Sequence, residues 1–254
     1  MAKASLLKPS RSSRGDETRP LRGCAGAARD PVREVIGADL PRVHASQSIG
    51  NPLLGPALDE HPDFQLGLLD GDELVAEFHS LPVAWDGTLD DLPPGWDDVF
   101  PRAFESGREP TVLCALALSV GPEQQGRHLS SFMLNAMRDA ARNVGLRSVI
   151  APVRPTLKAK YPLIAIERYV EWRRGDGSHF DPWVRIHERV GGEILAPAPD
   201  SMRIDAPVAD WQDWAGMQFP EDGDYIVPGM LAPLVVSDGV GTHVEPNVWM
   251  VHSV

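Results

Sequence analysis

Residues 121–128, Gly-Pro-Glu-Gln-Gln-Gly-Arg-His, have the composition of an anion-binding loop. They lie between an apolar run at 111–120 and an amphipathic pattern that begins at Leu129. The first amides of a helix have no intrahelical acceptor, and the helix dipole is positive at that end, so such a junction favours a phosphate group. The spacing therefore predicts a phosphate-binding loop, with an ordinary strand-to-helix turn as the alternative.

The elements around the loop are predicted by their apolar periodicity. A helix is indicated by spacing of three and four residues in the set Leu129, Phe132, Met133, Ala136, Met137, Ala140, Ala141 and Val144. Gly145 would end it with a left-handed residue. The preceding run is apolar on both faces, as in a central strand covered by helices on both sides. Residues 148–153 read as the next strand, parallel to the first through a right-handed crossover.

Strand, loop and helix together resemble the signature of the GNAT superfamily of acyl-CoA-dependent N-acetyltransferases. That signature is Arg/Gln-x-x-Gly-x-Gly/Ala at the start of a helix, with backbone amides around the coenzyme A pyrophosphate. Here Gln125 takes the first place, Ser130 the small place, and His128 stands where the family usually has glycine. A non-glycine residue fits there if its φ is negative and its side chain points away. No Gly-x-Gly-x-x-Gly or Gly-Lys-Ser/Thr pattern supports a different nucleotide loop.

The resemblance implies a set of coenzyme A contacts and a fold. The contacts are Gln125, Gly126, Arg127, His128, Leu129 and Ser130, with a backbone N–H near Leu118 to Val120 polarising the thioester carbonyl. The fold class is α/β (α+β), with a GNAT-like mixed central sheet flanked by helices on both faces. Before the central strand, 64–69 and 73–81 read as a hairpin around the turn Asp70-Gly71-Asp72. After it, Asp181-Pro182 open a helix, and 193–196 form a strand.

Three side chains are candidates for acid and base chemistry. Acyl transfer to an amine needs a base for the amine and an acid for the departing thiolate. His187 stands at the position of the tyrosine that the family frequently uses as the acid, four residues before Gly191. Glu77 and His79 lie on one face of the hairpin strand and are candidates for the base. The alternative for His187 is a helix-face histidine paired with a neighbour such as Glu188 or Arg189.

Composition indicates one folded domain with appendages. The chain has 254 residues, 43% of them hydrophobic, which is enough for a sizeable core. Residues 1–42 lack apolar periodicity and predict a disordered tail; 43–254 predict a single acyltransferase-like domain, with a GNAT core at about 64–196 and a C-terminal extension at 197–254. Within that extension, 248–251 would complete the sheet or pair with a second subunit in a homodimer. Cys24 and Cys114 support neither a disulfide framework nor a zinc site, so the cytoplasm is the expected compartment.

Charge bears on the partners. The net charge is −12 overall and +4 in residues 1–42, which leaves about −16 on the rest. That balance opposes nucleic acid and acidic membranes and favours a cationic acceptor. The acidic segment 86–98 would be a solvated loop or a substrate wall, and Lys158 or Lys160 would be a surface charge or a phosphate or carboxylate contact.

The function predicted is transfer of an acyl group, in the first place acetyl from acetyl-CoA, to a primary amine of a small molecule or peptide. No metal is expected. The alternative is a non-catalytic acyl-CoA-binding or ligand-sensing module with the same fold.

Overall fold

A mixed, nine-stranded sheet organises the part of the chain that the computed structural model describes, residues 16–20, 60–70 and 73–254. Its strand order is β1-β2-β3-β4-β5-β9-β8-β7, and β6 pairs with β9 off this path. The strands are β1 (Asp16–Pro20), β2 (Gln65–Asp70), β3 (Glu73–Val83), β4 (Val112–Val120), β5 (Ser148–Val153), β6 (Gly192–Pro207), β7 (Gly223–Tyr225), β8 (Leu234–Ser237) and β9 (Val240–Ser253).

Five α-helices lie around this sheet in the described residues. They are α1 (Val99–Phe104), α2 (Leu129–Asn143), α3 (Ile166–Tyr169), α4 (Pro182–Arg189) and α5 (Val208–Ala215). As the sequence predicted, α2 follows the loop after β4, and Gly145 beyond its end has a φ of +79°. The start of α4 is also confirmed, because the Asp181 side chain accepts from the backbone N–H groups of Trp183 and Val184.

The two faces of the sheet have separate apolar cores. On one face, Met133 and Met137 of α2 pack with Val149 of β5, and α4 adds Ile186 at the margin. On the other face, Phe100 of α1 packs with Trp249. Both clusters are formed by fully buried aromatic and aliphatic side chains, whose removal from water is the main stabilising contribution to the fold. The predicted class, a GNAT-like mixed sheet with helices on both faces, is confirmed.

The central strands separate along their length. Strands β4 and β5 run parallel, as predicted, but their register contains only Leu113 with Val149 and Cys114 with Ile150. Both strands continue past these pairs. On its other edge β4 is paired with β3 along its length, with a register shift at which Leu116 is the extra residue of β4. The result is a sheet that opens between β4 and β5 from Ala115 onward.

The flanking strands agree with the sequence in type and differ in length. The hairpin of β2 and β3 is confirmed, while Gly71 and Asp72 of its predicted turn lie outside the described residues. The strand predicted at 193–196 is the start of β6, which has 16 residues. The run at 248–251 belongs to β9, which pairs with β5, β6 and β8 and thus completes the sheet.

The N-terminal segment contains regular structure where the sequence predicted a disordered tail. Strand β1 pairs antiparallel with β2, from Asp16 opposite Asp70 to Pro20 opposite Leu66. Apolar periodicity does not reveal such a strand, because backbone hydrogen bonds to an existing sheet edge can hold a polar segment. The remainder of 1–42 lies outside the described residues, and the division of the chain there stays a prediction. None of the described helices is long and apolar enough to cross a membrane.

Candidate active site

A cavity of about 210 Å³ occupies the opening between β4 and β5. Its walls are residues 115–119 of β4 and 151–154 at the end of β5. Leu134 and Met137 of α2, with Trp183 and His187 of α4, line it from one face of the sheet; His79, Trp96, Met202, Glu245 and Asn247 line it on the other side. The cavity is therefore lined by side chains from both faces of the sheet.

The loop between β4 and α2, predicted to bind phosphate, faces open space and leads into a helix start without a side-chain cap. Gly126 has a φ of +80°, and a Cβ placed there would meet no atom within 4 Å, so this stretch faces open space. His128 is the N-cap of α2 and makes no side-chain capping hydrogen bond. The first amides of this 15-residue helix are thus left to an external acceptor, with the dipole adding positive potential.

The backbone conformation of His128 differs from the one that the sequence analysis required of a non-glycine residue at this place. Its φ is +62°, in the left-handed region, where a negative value was expected. This conformation explains why glycine would be usual at this place, because a Cβ is strained there. Histidine is among the residues that adopt it more often than most, and the His128 side chain is exposed. The turn is therefore formed at some cost in backbone strain.

The other predicted coenzyme A contacts fall into different settings. Arg127 lies 3.4 Å from the Asp70 carboxylate and also donates a hydrogen bond to the Gln124 side chain. These two contacts hold its side chain at the surface of the loop. Leu118 lines the cavity, whereas Val120 packs against the core beneath α2. Gln125 is exposed, Leu129 is buried and Ser130 is half-buried. The loop and the helix start are brought together, and Val120 stands apart from the cavity.

Glu77 and His79 form a buried pair on β3, as strand alternation predicted. The His79 Nε2 lies 3.7 Å from the Glu77 Oε2. Both carboxylate oxygens of Glu77 are buried and have no hydrogen-bond partner within the described residues. His79 lines the cavity, and its Nδ1 lies 3.1 Å from the Gln65 Oε1. An imidazole ring with a carboxylate close to one of its nitrogens is suited to accept a proton, because the carboxylate stabilises the imidazolium.

His187 is buried inside a pair of histidines. Its Nδ1 lies 2.9 Å from the Nε2 of His252, and its ring stacks edge-on against Trp183. Burial, with a smaller contribution from His252, lowers the pKa of His187 to about 3. The ring is therefore neutral near pH 7, and an acid role would depend on its Nε2–H rather than on an imidazolium. The neighbour that holds it is His252, where the sequence suggested Glu188 or Arg189.

Sequence reasoning missed the polar residues that β9 contributes. Glu245 is fully buried, lines the cavity and accepts from the Arg154 Nε at 3.0 Å. Asn247 also lines the cavity and accepts from the Ser201 hydroxyl at 2.8 Å. A signal was present: His243, Glu245 and Asn247 alternate along a strand-like run, and a polar period of two next to Trp249 marks a polar inner face.

The acidic segment 86–98 supplies a wall through one aromatic residue. Trp96 lines the cavity, and its indole N–H donates to the carbonyl of Leu116, the extra residue of β4, at 3.0 Å. Asp91 is ion-paired with Arg102 and Arg108, and its hydrogen bonds to Arg108 lower its pKa. The Asp91 carboxylate thus anchors this loop to Arg102 and Arg108, while Trp96 forms part of the cavity wall.

Two further predictions concern cations. The buried Lys158 donates to the backbone carbonyls of Tyr161 at 2.9 Å and Leu231 at 2.6 Å, so its ammonium is used within the fold. Burial lowers its pKa to about 8. Lys160 is exposed. Among residues 60–70 and 73–254, no group of three or more metal-ligating side chains is placed to hold a metal ion.

Known proteins share both sequence and fold with this chain. The arginine N-acetyltransferase avaD of Aspergillus versicolor is 31% identical over 209 residues, which cover 72% of this chain and 71% of avaD. The loading GNATL domain of CurA from Lyngbya majuscula has a TM-score of 0.57 at 16% identity, covering 94% of this chain and 98% of that one. The GphF GNAT-like decarboxylase in complex with isobutyryl-CoA has a TM-score of 0.51 at 17% identity, over 78% and 81%. No family model matches the sequence.

These similarities agree with the geometry of the cleft. The two solved structures, at 16% and 17% identity, share the fold with this chain. The sequence relative carries the functional class, because it is an enzyme and matches most of both chains. A non-catalytic binding module is therefore not favoured. The chain belongs to the GNAT superfamily and is an acyl-CoA-dependent N-acyltransferase.

Proposed function

We propose that this protein transfers acetyl from acetyl-CoA to a primary amine of a small cationic acceptor, with arginine as the first candidate. The observation that carries the proposal is the cleft between β4 and β5, which lies along the strand that leads into the loop 121–128 and is lined by His79 and the buried carboxylate of Glu245. The acidic body of the chain supports a cationic acceptor. The candidate itself comes from avaD, which is named as an arginine N-acetyltransferase.

On the donor side, the loop residues Gly126 to Ser130 would hold the coenzyme A pyrophosphate. The amides at the start of α2 would donate to phosphate oxygens, and Arg127 would add a screened charge at the loop surface. The pantetheine chain would then extend into the cavity along Leu118 towards Leu116. A backbone N–H of β4, on the edge that β5 has left, would donate to the thioester oxygen as negative charge develops.

On the acceptor side, His79 would take a proton from the ammonium of the acceptor. The freed amine attacks the thioester carbon, and the attacking nitrogen loses its second proton to solvent as the carbon–sulfur bond breaks. The thiolate collects a proton to leave as coenzyme A. His79 lines the cavity, and the Glu77 carboxylate lies 3.7 Å from its Nε2, where the carboxylate charge would stabilise the imidazolium. The fully buried Glu245 would face the cationic end of the acceptor across the cavity.

For the leaving group, His187 would donate a hydrogen bond through Nε2. This atom is buried without a partner among the described residues, and His187 lines the cavity on the α2 side. Because the pKa of the ring is about 3, His187 would stabilise the thiolate as a neutral donor, and the proton that completes coenzyme A would come through solvent. We further propose a reducing cytosol as the compartment, since Cys114 is a buried free thiol in β4.

The test is release of coenzyme A from acetyl-CoA across a panel of amines. The panel contains arginine, agmatine, lysine, citrulline and a peptide with a free N-terminus, and products are identified by mass. We expect thiol release with arginine and weaker release with citrulline, which has the same shape without the charge. Equal release with citrulline would remove the cationic-acceptor proposal. Thermal stabilisation by acetyl-CoA without thiol release for any amine would contradict the proposed reaction.

A further inference from the structure

Gln65 and His79 face each other directly across the β2–β3 hairpin. They are register partners in the antiparallel pair, so their side chains lie on the same face of the sheet. Both are almost fully buried, with exposures of 2% and 3%. A polar side chain in this position must have its hydrogen-bonding groups satisfied, and how Gln65 does so constrains its neighbour.

The orientation of the Gln65 amide is determined by two carbonyl groups. Its Nε2 donates to the backbone oxygen of His61 at 2.9 Å and to that of Ser80 at 2.9 Å, which uses both amide hydrogens. The reverse orientation would place an oxygen against two oxygens. The Oε1 therefore points the other way, where it accepts from the Ser80 N–H at 3.4 Å and lies 3.1 Å from the His79 Nδ1.

This contact determines the tautomer of His79. An amide oxygen only accepts, so the hydrogen between Oε1 and Nδ1 must be on Nδ1. A neutral imidazole has one N–H, and the Nε2 of His79 consequently keeps its lone pair. That nitrogen is the one 3.7 Å from the Glu77 carboxylate, on a ring that lines the cavity.

We propose that Gln65 is a positioning residue that holds His79 in the Nδ1–H tautomer, so that Nε2 is the nitrogen that accepts the proton from the amine. The inference rests on the proposed function, in which His79 is the base. The proton moves from the acceptor nitrogen to Nε2, and the resulting imidazolium keeps its Nδ1–H bonded to Gln65 while its new Nε2–H faces Glu77. The proton then passes to solvent as the next acceptor enters.

Three variants of the full chain test this role. Gln65→Met has nearly the same shape without a strong acceptor. Gln65→Glu, as the neutral acid, donates its O–H to one of the two carbonyls of His61 and Ser80 and keeps an acceptor oxygen towards Nδ1. His79→Ala removes the base. The tautomer is read directly from the ¹⁵N resonances of the His79 ring in protein labelled at histidine. We expect the wild-type ring to carry its hydrogen on Nδ1, Gln65→Met to show mixed tautomers, and Gln65→Glu to restore the wild-type form.

Kinetics separate positioning from packing. Gln65→Met should lower kcat/KM about 10- to 100-fold with acetyl-CoA affinity unchanged, and Gln65→Glu should recover much of that loss.

The outcomes distinguish this inference from the proposed function. Normal turnover of His79→Ala would overturn the base and, with it, the catalytic meaning of the tautomer. Loss of turnover in His79→Ala together with wild-type tautomer and wild-type turnover in Gln65→Met would overturn the role of Gln65 alone. If Gln65→Met does not fold, the wild-type spectrum decides, because a ring with its hydrogen on Nε2 contradicts the inference.

Discussion

The Nδ1 of His187 lies 2.9 Å from the Nε2 of His252, so two buried imidazoles share one hydrogen bond. Burial is the first cause of the low pKa of each ring, about 3 for His187 and about 4 for His252. Two neutral rings satisfy this contact, because one donates and the other accepts. This pair connects the last turn of α4 with the end of β9 behind the cleft.

The His187 ring can be tested by removing its nitrogens and keeping its shape. His187→Phe preserves the edge-on packing against Trp183 and should lower kcat by roughly 10²-fold, the lower end for an acid or a donor to the leaving group. Affinity for coenzyme A should stay near wild type. Steady-state kinetics with calorimetric binding measure both. Wild-type turnover in this variant would make His187 a packing residue.

Acid should destabilise the fold through the same pair. Each ring has a folded-state pKa below the ordinary histidine value of 6.5, so the unfolded chain binds more protons below that pH. The contribution of the pair to the free energy of unfolding is then fully present above about pH 6.5. It falls as the pH drops towards 4, by up to several kcal/mol at 1.36 kcal/mol per pKa unit.

The measurement is chemical denaturation at a series of pH values. His187→Phe should flatten the slope between pH 6.5 and 4, whereas His128→Gly, which removes an exposed histidine, should leave it as in wild type. The comparison cancels other acid-sensitive groups, such as Asp91, because both variants retain them. Equal slopes in the two variants would mean that the buried pair does not titrate as described.

Charge at Gly126 should control coenzyme A binding. Gly126→Asp places a carboxylate on the open face of the loop, where it would repel the pyrophosphate, and we expect acetyl-CoA to lose its effect on the melting temperature. Gly126→Asn is the matched control, since asparagine has the same shape and also tolerates the φ of +80°. Loss of the shift in both variants would indicate a backbone effect, and retention in both would move the phosphate site elsewhere.

Strain at His128 should be measurable as stability. Its φ of +62° favours glycine, so His128→Gly should be at least as stable as wild type and His128→Ala less stable. The difference between the glycine and alanine variants should be about 1–2 kcal/mol, the usual cost of a Cβ in this region. Denaturant titration gives the order. An alanine variant as stable as the glycine variant would show that the loop can leave this conformation freely.

The sequence by itself determined the strand, loop and helix of the donor side. Local rules suffice there: the apolar run of β4, the periodicity of α2, the stop at Gly145 and the Asp181 cap each depend on neighbours along the chain. Family resemblance then predicted a phosphate loop at Gln125 to Ser130, and strand alternation placed Glu77 and His79 on one face.

Only the tertiary structure decided which residues meet across the cleft. The separation of β5 from β4 after Cys114 is one such feature. The others are the hydrogen bond between His187 and His252 and the contact between Gln65 and His79, which join segments that are not adjacent in the chain. The left-handed φ of His128 could not be predicted from the sequence either, because it follows from how the loop must reach α2. Strand β1 could not be predicted for a related reason. It is held by backbone hydrogen bonds to β2, and this kind of pairing does not depend strongly on side-chain type.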